Sequence, residues 1–193
     1  MTKKHHTATL NKAIAEGVAD EMLIDFLLKV ANISSIYTSS SCAGRIILLS
    51  TDEFENKKYS DFVDRYHRKI TFDELKKAIT DYKGGDLWFK VEPFIFHFGT
   101  ANIETAKNIL DMSRDFGLKK SGIITAKEGR YVLEINSTQY ISVPVKINNE
   151  LIVNDKFLKL LVDRANKKLD VNYKRLERYM TMFLSIFATP KDK

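Results

Sequence analysis

Apolar residues recur every fourth position along the N-terminal stretch: Ile14, Val18, Met22, Phe26 and Val30, with Leu23 and Leu27 widening the stripe. That period predicts an amphipathic helix over Lys12 to Ala31, weakened by Gly17 so that its firm part begins near Asp20. IYT (36–38) and RIILLS (45–50) read as short strands joined through SSSCAGR (39–45), most simply as a hairpin. Residues 51–60 are polar and irregular in pattern. TFDELKKAITDY (71–82) predicts a helix with Thr71 and Glu74 as a capping box. In DLWFKVEPFIFHFG (86–99) the alternation is strict: Trp88, Lys90 and Glu92 fall on one face and Phe89 and Val91 on the other. Pro93 interrupts the strand, after which Phe94, Phe96 and Phe98 alternate with Ile95 and His97.

The helical period returns at 101–117 through Ile103, Ala106, Ile109, Leu110, Met112 and Ser113, closed by Gly117. Residues 121–137 read as a hairpin turning at Glu128-Gly129, and 140–147 as a third strand. From Asp155 towards Ala188 a long helix buries Leu158, Val162, Ala165, Leu169, Leu176, Met180, Phe183 and Phe187. Helices and strands alternate irregularly, without linkers or repeats. The expectation is a single α+β domain over 1–193, with an antiparallel or mixed sheet covered by helices and a loose tail over 1–11, not a doubly wound parallel sheet.

Composition narrows the classes. Apolar residues make up 44% of the 193 positions, enough for a real core. No unbroken apolar run approaches membrane-spanning length, and the N-terminus lacks a secretory signal. The single cysteine, Cys42, excludes an internal disulfide and fits a reducing cytoplasm. The net charge of +6 favours a polyanionic partner. Its location is informative: Lys156 to Arg178 holds eight basic and three acidic residues, nearly the whole excess. A solvated helix face explains such charge; so does nucleic-acid binding. Asn172 falls on the buried stripe of that helix and needs polar partners there.

SSSCAGR is the sharpest local signal. Serine hydroxyls donate to carboxylate or phosphate oxygens, Gly44 permits close backbone approach, and Arg45 suits an anionic group. Cys42 is either a nucleophile or, more simply, an inert small thiol, since no histidine is near in sequence. His97 is either a satisfied core imidazole or an acid–base group; His67 in RYHRK reads as exposed. Ser121-Gly122 and Ser137-Thr138 are explained by turn chemistry or by ligand contact. There is no GxGxxG after a strand, no Walker loop, no CxxC pair and no HExxH, so no dinucleotide-type fold and no metal set are expected.

In order and spacing, TSSSCAGRI (38–46), FKVEPFIFH (89–97), SGI (121–123), ST (137–138), VPV (143–145) and ANKKLDVNYKRLERY (165–179) resemble the wybutosine-synthesis methyltransferases of archaea and eukaryotes. The resemblance spans about residues 17–180. It departs at 51–66 and at Ser39, where that family usually has threonine. It implies a non-Rossmann enzyme that moves a methyl group from S-adenosylmethionine to a ring nitrogen of a tricyclic wyosine base. That base already carries an aminocarboxypropyl chain and stands beside the anticodon of phenylalanine tRNA. On that footing Ser40, Ser41 and Arg45, with Gly44 and Ser121, hold the methionine part or the substrate side chain. His97 or Glu92 takes the proton lost by the ring nitrogen. Trp88 or a nearby phenylalanine stacks on the tricycle, and Asn172 closes the pocket. Lys167, Lys168, Arg175 and Arg178 bind phosphates of the anticodon arm. Two other classes remain: a non-catalytic tRNA-binding accessory protein with a small-ligand pocket, and a hydrolase using Ser41 or Cys42 with His97. Oligomeric state is unspecified.

Overall fold

The structure, a computed structural model, describes residues 3–52 and 56–188. It contains helices α1 (Lys3–Ala15), α2 (Ile24–Asn32), α3 (Phe72–Asp81), α4 (Ile103–Asp115) and α5 (Asp155–Phe187). The strands are β1 (Tyr37–Cys42), β2 (Arg45–Ser50), β3 (Asp61–Tyr66), β4 (Leu87–Glu92), β5 (Ile95–Thr100), β6 (Gly122–Lys127), β7 (Arg130–Asn136), β8 (Ile141–Ile147) and β9 (Glu150–Leu151). Two sheets form, ordered β1-β5-β7-β6 and β3-β2-β4-β8-β9, and every pairing in them is antiparallel. The α+β class is therefore as the pattern predicts. The chain falls into two compact units, one of residues 1–43, 94–138 and 174–193, the other of 44–93 and 139–173.

The four-stranded unit is built on aromatic packing. Phe94, Phe96 and Phe98 are fully buried, as their alternation predicts. Phe96 and Phe98 stack at 5.3 Å between centroids, Phe98 on Phe183 at 4.6 Å, and Phe96 on Tyr179 at 5.9 Å. Tyr179 lies 2.9 Å from Ser113 Oγ, which itself donates to the Ile109 carbonyl, so the buried phenol is satisfied. The five-stranded unit has an aliphatic core instead. Ile46, Leu48, Phe89 and Val91 from the sheet meet Leu75 and Ile79 of α3 and Leu158, Val162, Ala165 and Leu169 of α5. Asn166 of α5 clamps Ile70, accepting from its N–H at 3.0 Å and donating to its carbonyl at 2.9 Å.

Several expectations are corrected. The predicted N-terminal helix is two helices, because Gly17 takes a left-handed φ of +66°. Val18 and Met22 are exposed, and burial begins at Leu23. The tail expected over 1–11 is, from Lys3 onward, part of α1; Met1 and Thr2 lie outside the described residues. Of the irregular 51–60 segment, 53–55 lie outside them too, and Lys57–Tyr59 form a 3-10 turn. IYT and RIILLS do not form a hairpin: β1 extends through Ser39–Cys42 and pairs with β5, while β2 pairs with β3 and β4. The 140–147 strand joins β4 rather than the 121–137 hairpin. Ile103 is exposed, and on α5 Tyr179 takes the fully buried place while Met180 is half-buried.

Candidate active site

In the four-stranded unit the β1–β5 register sets Ser40 opposite His97, Ser41 opposite Phe96 and Cys42 opposite Ile95, past a bulge between Thr38 and Ser40. Directly opposed residues leave a sheet on the same face, and neighbours along a strand leave on opposite faces. Ser40 therefore shares the outer face with His97, and Ser41 turns toward the side of Phe96. On the next strand Glu134 stands opposite His97, and its Oε2 lies 3.0 Å from His97 Nε2. The imidazole is thus half-buried and held by a carboxylate, with Ser40 exposed beside it. Sequence reasoning missed Glu134. The alternation of RYVLEIN placed it on a polar face, but only the β5–β7 register brings it to His97.

Two further observations belong to this unit. Asp20 Oδ2 accepts the Ala43 N–H at 2.6 Å, so a residue read merely as a helix start fixes the end of the serine-bearing strand. Ser121 is buried and accepts from the Asn136 N–H at 3.3 Å. Ser137 next to it is fully buried, and its Oγ has no hydrogen-bond partner. An orphaned buried hydroxyl costs free energy.

In the five-stranded unit Gly44 has φ +98°, a conformation that disfavours any side chain. The Tyr173 hydroxyl lies 3.2 Å from the Gly44 carbonyl and 2.9 Å from that of His67, which is exposed as expected. Arg45 Nε donates to Glu92 Oε2 at 2.8 Å, and the guanidinium lies over Phe62, 4.7 Å from its centroid. Glu92 is thereby engaged in orienting Arg45. Trp88 is on the same face as Glu92 but four residues along the strand, about 13 Å away. There it lines a cleft of about 560 Å³ with Thr51, Asp52, Asp86, Ile147 and Asn148. The structure does not bring Trp88 to Glu92.

Of the α5 residues, Asn172 is fully buried. Lys167 is spent on Asp163 at 2.9 Å, and Lys168 reaches Gln139 at 3.4 Å. In the other unit Arg175 bonds Thr138 Oγ1 at 3.2 Å, and Arg175 and Arg178 both approach Phe116, at 5.9 and 5.8 Å. Among the described residues no carboxylate pairs with either arginine.

The four passages of the chain between the units fall at 43/44, 93/94, 138/139 and 173/174; three lie inside motif pieces singled out in the sequence and the fourth directly follows Ser137-Thr138. The chain is thus a two-sheet antiparallel α+β protein without the parallel sheet of a dinucleotide-type fold. The family described as Methyltransferase TYW3 matches residues 1–185, and the chain belongs to it. A relative from Methanocaldococcus jannaschii, named tRNA(Phe) 7-((3-amino-3-carboxypropyl)-4-demethylwyosine(37)-N(4))-methyltransferase, is 34% identical, over 86% of this chain and 87% of its own. A relative from Pyrococcus horikoshii with the same enzyme name, numbered 2, is 33% identical over 95% and 89%. The solved structure of the PH1069 protein from Pyrococcus horikoshii superposes with a TM-score of 0.86 at 30% identity, covering 93% and 92% of the two chains. A hypothetical protein from Aeropyrum pernix superposes with 0.75 at 29% identity, over 88% and 100%. Among the described residues no helix is long and apolar enough to cross a membrane.

Proposed function

We propose that the protein methylates N4 of the 4-demethylwyosine base that carries an aminocarboxypropyl chain, at the nucleotide 3′ of the anticodon in tRNA(Phe), with S-adenosylmethionine as donor, in the cytoplasm. The observation that carries this reading is the His97–Glu134 pair, 3.0 Å apart on an accessible sheet face of a chain whose relatives bear that enzyme name.

The donor supplies an electrophilic methyl group on a sulfonium. As the N–CH3 bond forms, the S–CH3 bond breaks and its electron pair leaves with the neutral thioether; the ring nitrogen loses its N–H proton, and that proton needs an acceptor. With Nε2–H donating to Glu134, the Nδ1 lone pair of His97 is the acceptor. Glu134 fixes the tautomer and steadies the imidazolium, as the orienting carboxylate does in other His-based sites. Glu92 is the weaker candidate, because Arg45 already occupies one of its oxygens. Ser40 and Ser41, with Ser121, supply hydroxyls to the donor or to the substrate side chain in their unit. Gly44 and Arg45 supply a backbone approach and a cation in theirs. Trp88 offers a ring face in the five-stranded unit, and Asn172 a buried amide. Phosphates of the anticodon arm meet Arg175 and Arg178 first, with Lys168 and the ion-paired Lys167 contributing less.

The test is methyl transfer to tRNA(Phe) isolated from cells blocked at this step, read by mass spectrometry of the nucleoside. The wild-type protein adds one methyl group. His97→Ala lowers the rate about a hundredfold or more at unchanged donor binding. Glu134→Gln, as a positioning residue, lowers it less and shifts the pH–rate profile. Binding of tRNA and donor without turnover by the wild-type protein would replace this reading with that of an accessory protein. A His97→Ala rate equal to wild type would remove the base from His97.

A further inference from the structure

The outer face of the five-stranded sheet, the face not packed on α3 and α5, has an order the core does not require. The β3–β2–β4–β8 register aligns Phe62, Leu49, Trp88 and Pro144 in one row. The next row is Arg65, Ile47, Lys90 and Ser142, and beyond it Arg45 faces Glu92. An apolar row with aromatics at its first and third places thus runs beside a row that carries Arg65 and Lys90 on either side of the buried Ile47. Directly opposed residues share a face, and rows two residues apart are separated by about 7 Å.

The rings and cations engage each other. The Phe62 ring has Arg45 at 4.7 Å and Arg65 at 4.9 Å from its centroid, and Lys90 lies 5.4 Å from that of Trp88. Phe62 nevertheless remains 44% exposed. It stands on an edge strand, where an exposed hydrophobe is a liability unless something uses it. Its neighbourhood is basic: residues 56–70 contain five Lys or Arg and two Asp. Tyr59 nearby is 56% exposed, with Lys58 over its ring at 5.5 Å.

We infer that this sheet face is a platform for unpaired nucleotides of the RNA substrate: a base takes the place of the Arg65 guanidinium on the Phe62 ring, and the displaced Arg65 meets the adjoining phosphates with its row. Sheet faces that present aromatics to splayed bases and cations to the backbone are a recurrent solution for single-stranded RNA. The inference rests on the tRNA reading above and adds to it a surface, in the stretch where the sequence resemblance is weakest.

The experiment is fluorescence titration of the full-length protein with two probes, tRNA(Phe) and a short single-stranded RNA of its anticodon-loop sequence, across a salt series. Phe62→Ala weakens both by about five- to a hundredfold with the salt slope unchanged, because stacking is lost and no charge is. Phe62→Tyr restores binding. Arg65→Ala instead lowers the salt slope by about one contact. Circular dichroism and the Phe62→Leu variant, which keeps the apolar volume without the ring, separate stacking from a folding defect. Wild-type affinity in Phe62→Ala, binding of neither probe by the wild-type protein, or a dimer that the substitution dissolves would each overturn the inference. If methyl transfer fails while Phe62→Ala still loses RNA binding, the proposed reaction falls and the platform stands.

Discussion

Glu74 shows how much one side chain can hold at a helix end. Its Oε2 accepts the Thr71 N–H at 2.7 Å while its own N–H donates to Thr71 Oγ1 at 3.2 Å, the reciprocal box legible in TFDE. The structure adds Arg68, whose Nη2 donates to Oε1 at 2.7 Å. That arginine first, and the Thr71 backbone second, pull the Glu74 carboxyl down to about 2. A depressed acid stabilises the fold above its ordinary value of 4.5 and loses that contribution as pH falls through the folded value. The window is therefore from about pH 4.5 down to about 2. Glu74→Gln is expected to be less stable than wild type at neutral pH, with the two denaturation midpoints converging as pH falls through that window. Added salt should shrink the neutral-pH difference, because the pair is exposed. A difference that persists at the acid end would assign the effect to packing rather than charge.

At the scale of elements, local pattern and long-range pairing part company. The alternation in DLWFKVEPFIFH and the periods of α4 and α5 were legible because burial of a face repeats every second or every third to fourth residue. Which strand pairs with which carries no such period. The break at Ala43-Gly44 therefore reads from sequence as a hairpin turn, although β1 and β2 join different sheets. For the same reason Ser40 and His97 were recognisable as candidates, whereas Glu134 and Asp20 were not: their roles exist only through register and one backbone bond. β3 went unread because it is a polar edge strand with a bulge against Leu48 and Leu49 and has no buried alternation. Asn166 is a further case. Its spacing in α5 is unremarkable, yet both of its amide atoms serve Ile70, at the turn that leads into α3. Asn166→Ala leaves that N–H and carbonyl unpaired in a half-buried place and should cost about 1–3 kcal/mol. Asn166→Asp keeps the acceptor for the Ile70 N–H but sets a carboxylate oxygen against the Ile70 carbonyl, and should be no more stable than the alanine variant at neutral pH. Urea midpoints of the three proteins check this; an alanine variant as stable as wild type would mean that water replaces the clamp.

For the whole molecule, the question is which part of a +6 chain meets a polyanion. Counting residues on α5 treats all its cations alike, and the structure does not. Lys167 is compensated by Asp163, and Lys69 of the five-stranded unit takes Asp170 of the same helix at 2.7 Å. Arg175 and Arg178 instead flank Phe116 with no acidic partner among the described residues, Arg175 being oriented by Thr138 of the Ser-Thr motif. An uncompensated arginine releases a counterion from RNA when it binds a phosphate, whereas a lysine already paired to aspartate must first give up that pair. The double variant Arg175→Ala/Arg178→Ala should therefore weaken tRNA(Phe) binding at low salt and reduce the slope of log affinity against log salt by about 1.5. Lys167→Ala should change the slope much less. Donor binding should be untouched in both, which keeps a lost phosphate contact distinct from a lost fold. An unchanged slope in the double variant would move the phosphate contacts off this end of α5 and leave Arg65 and its row on the five-stranded sheet as the place to seek them.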